Sequence, residues 1–158
     1  MLTLRDTLIH YKRPEVQKEI ILSCKNREVG VMFNEKFGKR PDTLSYPADI
    51  MEFTKNGATS FHFSEELWQD PLQIKTDMTK KEISELRIGW DLVLDVDFEV
   101  WEVTKIITDL LIKALKRHNI ESITCKFSGN KGFHIGVPFE SFPEKVNIKG
   151  NLVETKEL

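Results

Sequence analysis

Cysteine is scarce in this 158-residue chain: only Cys24 and Cys125 occur, far apart and without partner spacing. A disulfide framework is therefore excluded, and two free thiols in a reducing compartment are expected. The four histidines (His10, His62, His118 and His134) are scattered, so no Cys/His zinc knuckle assembles within the chain. Charge of one sign is not in surplus. Lys and Arg number 23 and Asp and Glu 25, for a formal net charge of −2. Contact with nucleic acid would need a local basic patch rather than a global field. The N-terminal stretch Met1-Leu2-Thr3-Leu4-Arg5-Asp6 has an early acid and no long apolar run, which reads as neither signal peptide nor membrane span. A soluble, cytoplasmic protein is expected. With 40% hydrophobic and 30% charged residues, the composition supports a packed core.

What is present becomes more regular along the chain. Residues 4–10 read as a short helix, and Pro14 suits the first turn of a second over residues 15–23. Residues 27–33 and 58–63 read as strands, residues 38–42 as a basic turn, and residues 64–68 as a helical turn before Pro71. Thr79-Lys80-Lys81-Glu82 is a capping box that opens a helix to about Leu86. The segment 43–56 has no clear period. Leu92-Val93-Leu94-Asp95-Val96 is mostly apolar, with two β-branched valines, as in a buried strand. Over residues 99–118, Val103, Ile106, Ile107, Leu110, Leu111, Ala114 and Leu115 form one wide helical apolar face. Residues 122–127 and 133–137 complete a strand, helix, strand, turn, strand order, with the final strand antiparallel. An α+β sheet with a helix packed across it is expected. The tail 145–158 reads as a loop or an interrupted continuation.

Two segments carry chemistry. Side chains alternate along a strand, so Asp95 and Asp97 share a face, about 7 Å apart along it. Two such carboxylates suit Mg²⁺ or Mn²⁺, which keep waters and accept phosphate oxygens as further ligands. A strand merely ending in solvent is the bland alternative. Asp91 shares their parity but lies at the other end of the strand. In Ser128-Gly129-Asn130-Lys131-Gly132-Phe133-His134, the glycines free the backbone to approach an anion. Lys131 supplies charge, Ser128 a hydroxyl, and His134 faces away from Phe133 and Ile135. A plain hairpin turn is the alternative. The pattern is not the common ATPase phosphate loop, which precedes a helix.

Together these segments resemble the catalytic motifs of the archaeo-eukaryotic primase superfamily, in particular the small subunit of archaeal DNA primase. Asp91-Leu92-Val93-Leu94-Asp95-Val96-Asp97 is similar to its metal strand, and the segment 128–134 to its Ser-Gly-x-x-Gly-x-His nucleotide motif. Weaker echoes are Arg27-Glu28 and the aromatic stretch 60–71. The resemblance implies an RRM-like mixed sheet with packed helices (residues 87–143), an N-terminal α/β layer (1–86) and a tail (144–158) within one catalytic domain. It also implies template-directed primer synthesis from nucleoside triphosphates with two divalent metals, Asp95 and Asp97 being the catalytic metal ligands. Ser128, Gly129, Lys131, Gly132 and His134 would bind the nucleoside triphosphate. The implied partners are a single-stranded DNA template and a primase large subunit, at the nucleoid. Phe98-Glu99-Val100-Trp101 runs straight into the helix where many relatives carry zinc, so no zinc is predicted. The family's third carboxylate has no evident counterpart among Glu140, Glu144, Glu154 and Glu157. Two other classes stay open: a haloacid-dehalogenase-like phosphatase, with Asp95 as nucleophile and Asp97 as acid, and a non-catalytic nucleic-acid-binding module.

Overall fold

In the computed structural model, which describes residues 3–158, the chain forms two units, Met1–Ile88 and Gly89–Leu158. Met1 and Leu2, which open the N-terminal stretch discussed above, lie outside the described residues. The described residues form an α+β arrangement of five α-helices and several antiparallel sheets.

The first unit begins with α1 (Leu4–Tyr11) and α2 (Pro14–Cys24). Thr3 caps α1 by accepting from the Asp6 N–H, and Asp6 returns a bond to the Thr3 N–H at 3.0 Å. Pro14 occupies the first turn of α2, where a missing N–H costs nothing. The central strand β1 (Val29–Phe33) pairs antiparallel with β2 (Lys36–Phe37) on one side. On the other side it pairs with β3 (Ser60–Phe63). Val29 and Val31 point into a core with Cys24, Leu44, Ile50 and Ala58. Phe33, Phe53 and Phe61 close around it.

The segment without a clear period holds α3 (Pro47–Lys55). Only Ile50 and Thr54, one turn apart, are fully buried there, which is too little to register as an apolar stripe. The reading of residues 64–68 as a helical turn is corrected: Glu66–Trp68 is a short strand, β4. Its extension is enforced by long-range partners. Arg27 donates to the carbonyls of Ser64 and Glu65, and Arg87 grips the Glu66 carboxylate. A local propensity loses to three such bonds. The predicted capping box is formed, with Thr79 and Glu82 exchanging bonds at the start of α4 (Lys80–Leu86). The chain then passes through β5 (Arg87–Trp90).

The second unit is built on β6 (Leu92–Asp97), α5 (Trp101–Arg117), β7 (Thr124–Phe127) and β8 (Gly132–Val137). The sheet order is β6-β8-β7, with β8 antiparallel to both neighbours. β6 and β7 are thus parallel, and the returning strand is inserted between them. The inner face carries Leu92, Leu94, Val96, Ile135 and Val137. Trp101 anchors α5 on that face, stacked 5.2 Å from Phe133 and edge-on to Phe127 at 5.8 Å. Thr104 and Thr108 are buried, and each hydroxyl donates to the carbonyl four residues back, of Val100 and Thr104.

The single apolar face expected on α5 is divided. Ile107, Leu111 and Leu115 are half-buried, while Val103, Ile106 and Leu110 are exposed. The tail, read as a loop or an interrupted continuation, is instead a hairpin of β9 (Lys145–Ile148) and β10 (Asn151–Glu154). Lys149 and Gly150 turn it with positive φ of 52° and 89°. That pair of left-handed residues suits the twist of a two-residue hairpin. Glycine makes the second easy.

Candidate functional site

The outer face of the β6-β8-β7 sheet carries a row of polar residues. Period two along β6 turns Val93, Asp95 and Asp97 outward, and all three are exposed. The ladder then sets their neighbours. Asp95 lies opposite His134, and Asp97 opposite Gly132. Across the next ladder His134 lies opposite Lys126, and Gly136 opposite Thr124. Asp95, His134 and Lys126 therefore form one row across three strands.

The side chains in this row are close but leave room. His134 Nε2 stands 3.6 Å from Asp95 Oδ1, beyond hydrogen-bond range. Asp95 is 69% exposed and His134 33%, so the ring is walled by its neighbours while the carboxylate reaches solvent. Beneath them Ile135 is fully buried, which fixes the facing of His134. Gly136 keeps this face low, because a Cβ there would come 2.7 Å from Thr124 Oγ1.

The turn between β7 and β8 closes on itself. The Ser128 N–H donates to the Gly132 carbonyl at 2.8 Å, and the Gly132 N–H donates to Ser128 Oγ at 3.1 Å. Ser128 thus shapes the loop, and its hydroxyl hydrogen stays available to a ligand. Gly129 takes φ of 99° with open space around it, a backbone that other residues adopt only under strain. Gly132 has a different reason to be glycine. A Cβ there would collide with the Val96 carbonyl and lie 3.2 Å from the Asp97 Cβ. Its small size lets β8 approach β6, and so it positions Asp97. Lys131 is exposed, and no ion pair to it is found among the described residues. The turn leads directly into Gly132, the residue opposite Asp97.

Sequence reasoning brought together Asp95, Asp97 and His134 and overlooked Lys126. Its parity within residues 122–127 carried no meaning until the β7–β8 register placed it beside His134. Asp91 was set apart, and its Oδ1 accepts the Phe139 N–H at 3.0 Å. Among the tail acids, Glu154 pairs with Lys156 at 3.7 Å. Among the described residues, no three His, Cys, Asp or Glu side chains gather closely enough to hold a metal unaided. Two carboxylates on an open face nevertheless fit a Mg²⁺-type ion, which takes one or two protein ligands and completes its shell with water and phosphate.

No protein-family model matches the chain. Over 62 residues it is 36% identical to an uncharacterized protein of Methanocaldococcus jannaschii. The match takes in 39% of this chain but only 14% of that protein. No helix among the described residues is long and apolar enough to cross a membrane.

Proposed function

We propose that this chain carries the metal- and triphosphate-binding part of a primase-type nucleotidyltransferase, of the archaeo-eukaryotic primase superfamily. The observation that carries the reading is the row Asp95–His134–Lys126 on one exposed sheet face, with Asp97 beside the Ser128–Gly132 turn. Acidic and basic groups are segregated on that face. The carboxylates lie on the β6 edge, and His134, the lysines and the turn lie across β8 and β7. A metal–triphosphate complex has the same polarity, with the ion at one end and phosphate oxygens at the other.

Asp95 and Asp97 would hold two divalent ions, Mg²⁺ or Mn²⁺, which would supply activation of a hydroxyl nucleophile and charge neutralisation at the leaving pyrophosphate. His134 would bond a phosphate oxygen and orient the chain of phosphates over Gly136. Lys126, near the end of β7, and Lys131, in the turn that follows, would neutralise the remaining charge. The Ser128 hydroxyl would donate one further bond while its oxygen keeps Gly132 in place. A single-stranded template and a large subunit are the partners this reading implies, together with an RRM-like identity for the β6-α5-β7-β8 unit. The phosphatase reading is less well supported. Asp95 lies within the ladder, opposite His134, rather than at a strand tip where a nucleophile would meet its phosphoryl group.

The test is metal-dependent incorporation of nucleotides on a single-stranded template, by this chain alone and with added downstream sequence. Asp95→Ala with Asp97→Ala should reduce incorporation by several kcal/mol of barrier, roughly a hundredfold or more. Incorporation that survives the double substitution removes the site. Formation of an acyl-phosphate on Asp95 without template selects the phosphatase instead.

A further inference from the structure

Helix α5 is apolar on two sides. Thr104, Thr108, Ile107, Leu111 and Leu115 turn towards the sheet and are buried or half-buried. Val103, Ile106 and Leu110 turn away from it and are 38%, 59% and 57% exposed. Their spacing of three and four residues lines them up along the helix. On the other described helices, large exposed apolar residues stand singly. Leu4 and Ile9 lie on different faces of α1, and Leu22 is alone on α2. Scattered residues of that kind are ordinary surface, whereas a continuous row marks a contact.

The charges at the ends of this row are ordered. The same alternating spacing leads back to Glu99, just ahead of the helix, and on to Lys113 and Arg117. All three are exposed. Lys113 pairs with Asp109, one turn back on its own helix. Among the described residues, no ion pair to Glu99 or Arg117 is found. The row therefore reads acid, three apolar residues, then two bases. It is symmetric in spacing about Thr108, with Glu99 corresponding to Arg117, Val103 to Lys113, and Ile106 to Leu110.

We propose that this row is a dimer interface, on which α5 of a second copy lies antiparallel about a two-fold axis at the level of Thr108. Ile106 of each copy then meets Leu110 of the other, and Glu99 meets Arg117 at both ends. The stem of Lys113, its ammonium drawn aside by Asp109, covers Val103 of the other copy. A parallel pair would instead set Glu99 against Glu99 and Arg117 against Arg117, which like charges disfavour. An unrelated partner would need a helix with the same apolar spacing and the reverse charge order. α5 supplies that pattern itself, as the self-complementary surface of a two-fold dimer must. Alternating steps of four and three suit a shallow helix crossing. From Val103 to Arg117 the seam is about 21 Å long. So short a seam falls at or below about 1,200 Å² of buried surface, and the dimer is weak, with a Kd on the order of 10–100 μM. α5 lies on the inner face of its sheet, so pairing leaves Asp95 and His134 accessible on the outer face. The inference does not depend on the metal site.

The test is sedimentation velocity of the chain from about 2 to about 300 μM, a range that brackets the expected Kd. The unaltered protein should pass from monomer to dimer. Leu110→Gln should weaken the dimer at least about tenfold, because each dimer loses two apolar contacts near its axis. The same variant, when dilute, should unfold as the unaltered chain does, since the monomer leaves this side chain exposed. Glu99→Arg and Arg117→Glu should each weaken the dimer about threefold by setting like charges together. Both substitutions in one chain should restore it, because the pair is then exchanged rather than broken. A monomer at every concentration, with the row left to another protein or to none, overturns the inference. So does a dimer indifferent to Leu110→Gln, or a double charge exchange that fails to rescue the single ones.

Discussion

The two units bury different things. The first buries apolar side chains completely: Val29, Ile50 and Ala58 have no exposed surface, and aromatic rings close around them. The second buries a thinner set, Val96, Ile135 and Val137, and completes its helix–sheet contact with Thr104 and Thr108. Its helix leaves Ile106 and Leu110 almost 60% exposed. The proposed chemistry lies in the unit with less apolar filling. There the sheet is a platform whose outer face carries Asp95, Asp97, Lys126 and His134, so strand register rather than core volume decides the site. Backbone spacing should therefore matter most in the second unit, and side-chain volume in the first.

Substitutions can break this contrast in order of size. Ile50→Ala should cost the first unit about 2–5 kcal/mol, because the surrounding rings cannot collapse into the gap. Thermal or denaturant unfolding checks it, and a cost below about 1 kcal/mol would deny a dense core. Gly132→Ala should cost the second unit about 1–3 kcal/mol by forcing β8 from β6. It should weaken metal-dependent triphosphate binding as Asp97 shifts. Gly129→Ala meets no neighbour and should cost about 1 kcal/mol through its backbone conformation alone. Leu110→Gln should change stability by no more than about 0.5 kcal/mol. A loss above about 2 kcal/mol would show that this helix row is packed after all.

The smallest effect concerns the thiols. Burial pushes the Cys24 thiol up to about 11. Cys125 is exposed. At mildly alkaline pH one thiol per chain should react with Ellman's reagent at once and the second only on unfolding. The sign of the linkage follows. Folded Cys24 keeps its proton where the unfolded thiol loses it, so its contribution to stability falls as pH rises from about 8.5 towards 11. Two fast thiols would contradict the buried setting.

The sequence was most legible where one period dominated a segment. Alternation along residues 92–97 placed Asp95 and Asp97 together, and the same argument turned His134 away from Ile135. The capping box at Thr79 and the long helix were readable because their signals are local. The short strand β4 was not, since Arg27 and Arg87 impose its extension from a distance. The helix α3 hid because only one isoleucine and one threonine on it are fully buried, although Pro47 and Asp49 mark its start. The hairpin at the end escaped because its strands are only four residues long, half polar and mostly exposed. Lys126 shows the limit most clearly: a residue type and a parity were visible, but its neighbour across the ladder was not.

The central claim is that one face of the β6-β8-β7 sheet holds a metal–triphosphate complex. The direct measurement is calorimetric titration of a nucleoside triphosphate into the chain with Mn²⁺ and again with EDTA, using the unaltered protein, Asp95→Ala with Asp97→Ala, and His134→Ala. Binding should require the metal, disappear in the double variant and weaken about tenfold in His134→Ala, the share of one charge-assisted hydrogen bond. Equal affinity with EDTA, or binding that persists without both carboxylates, would contradict it.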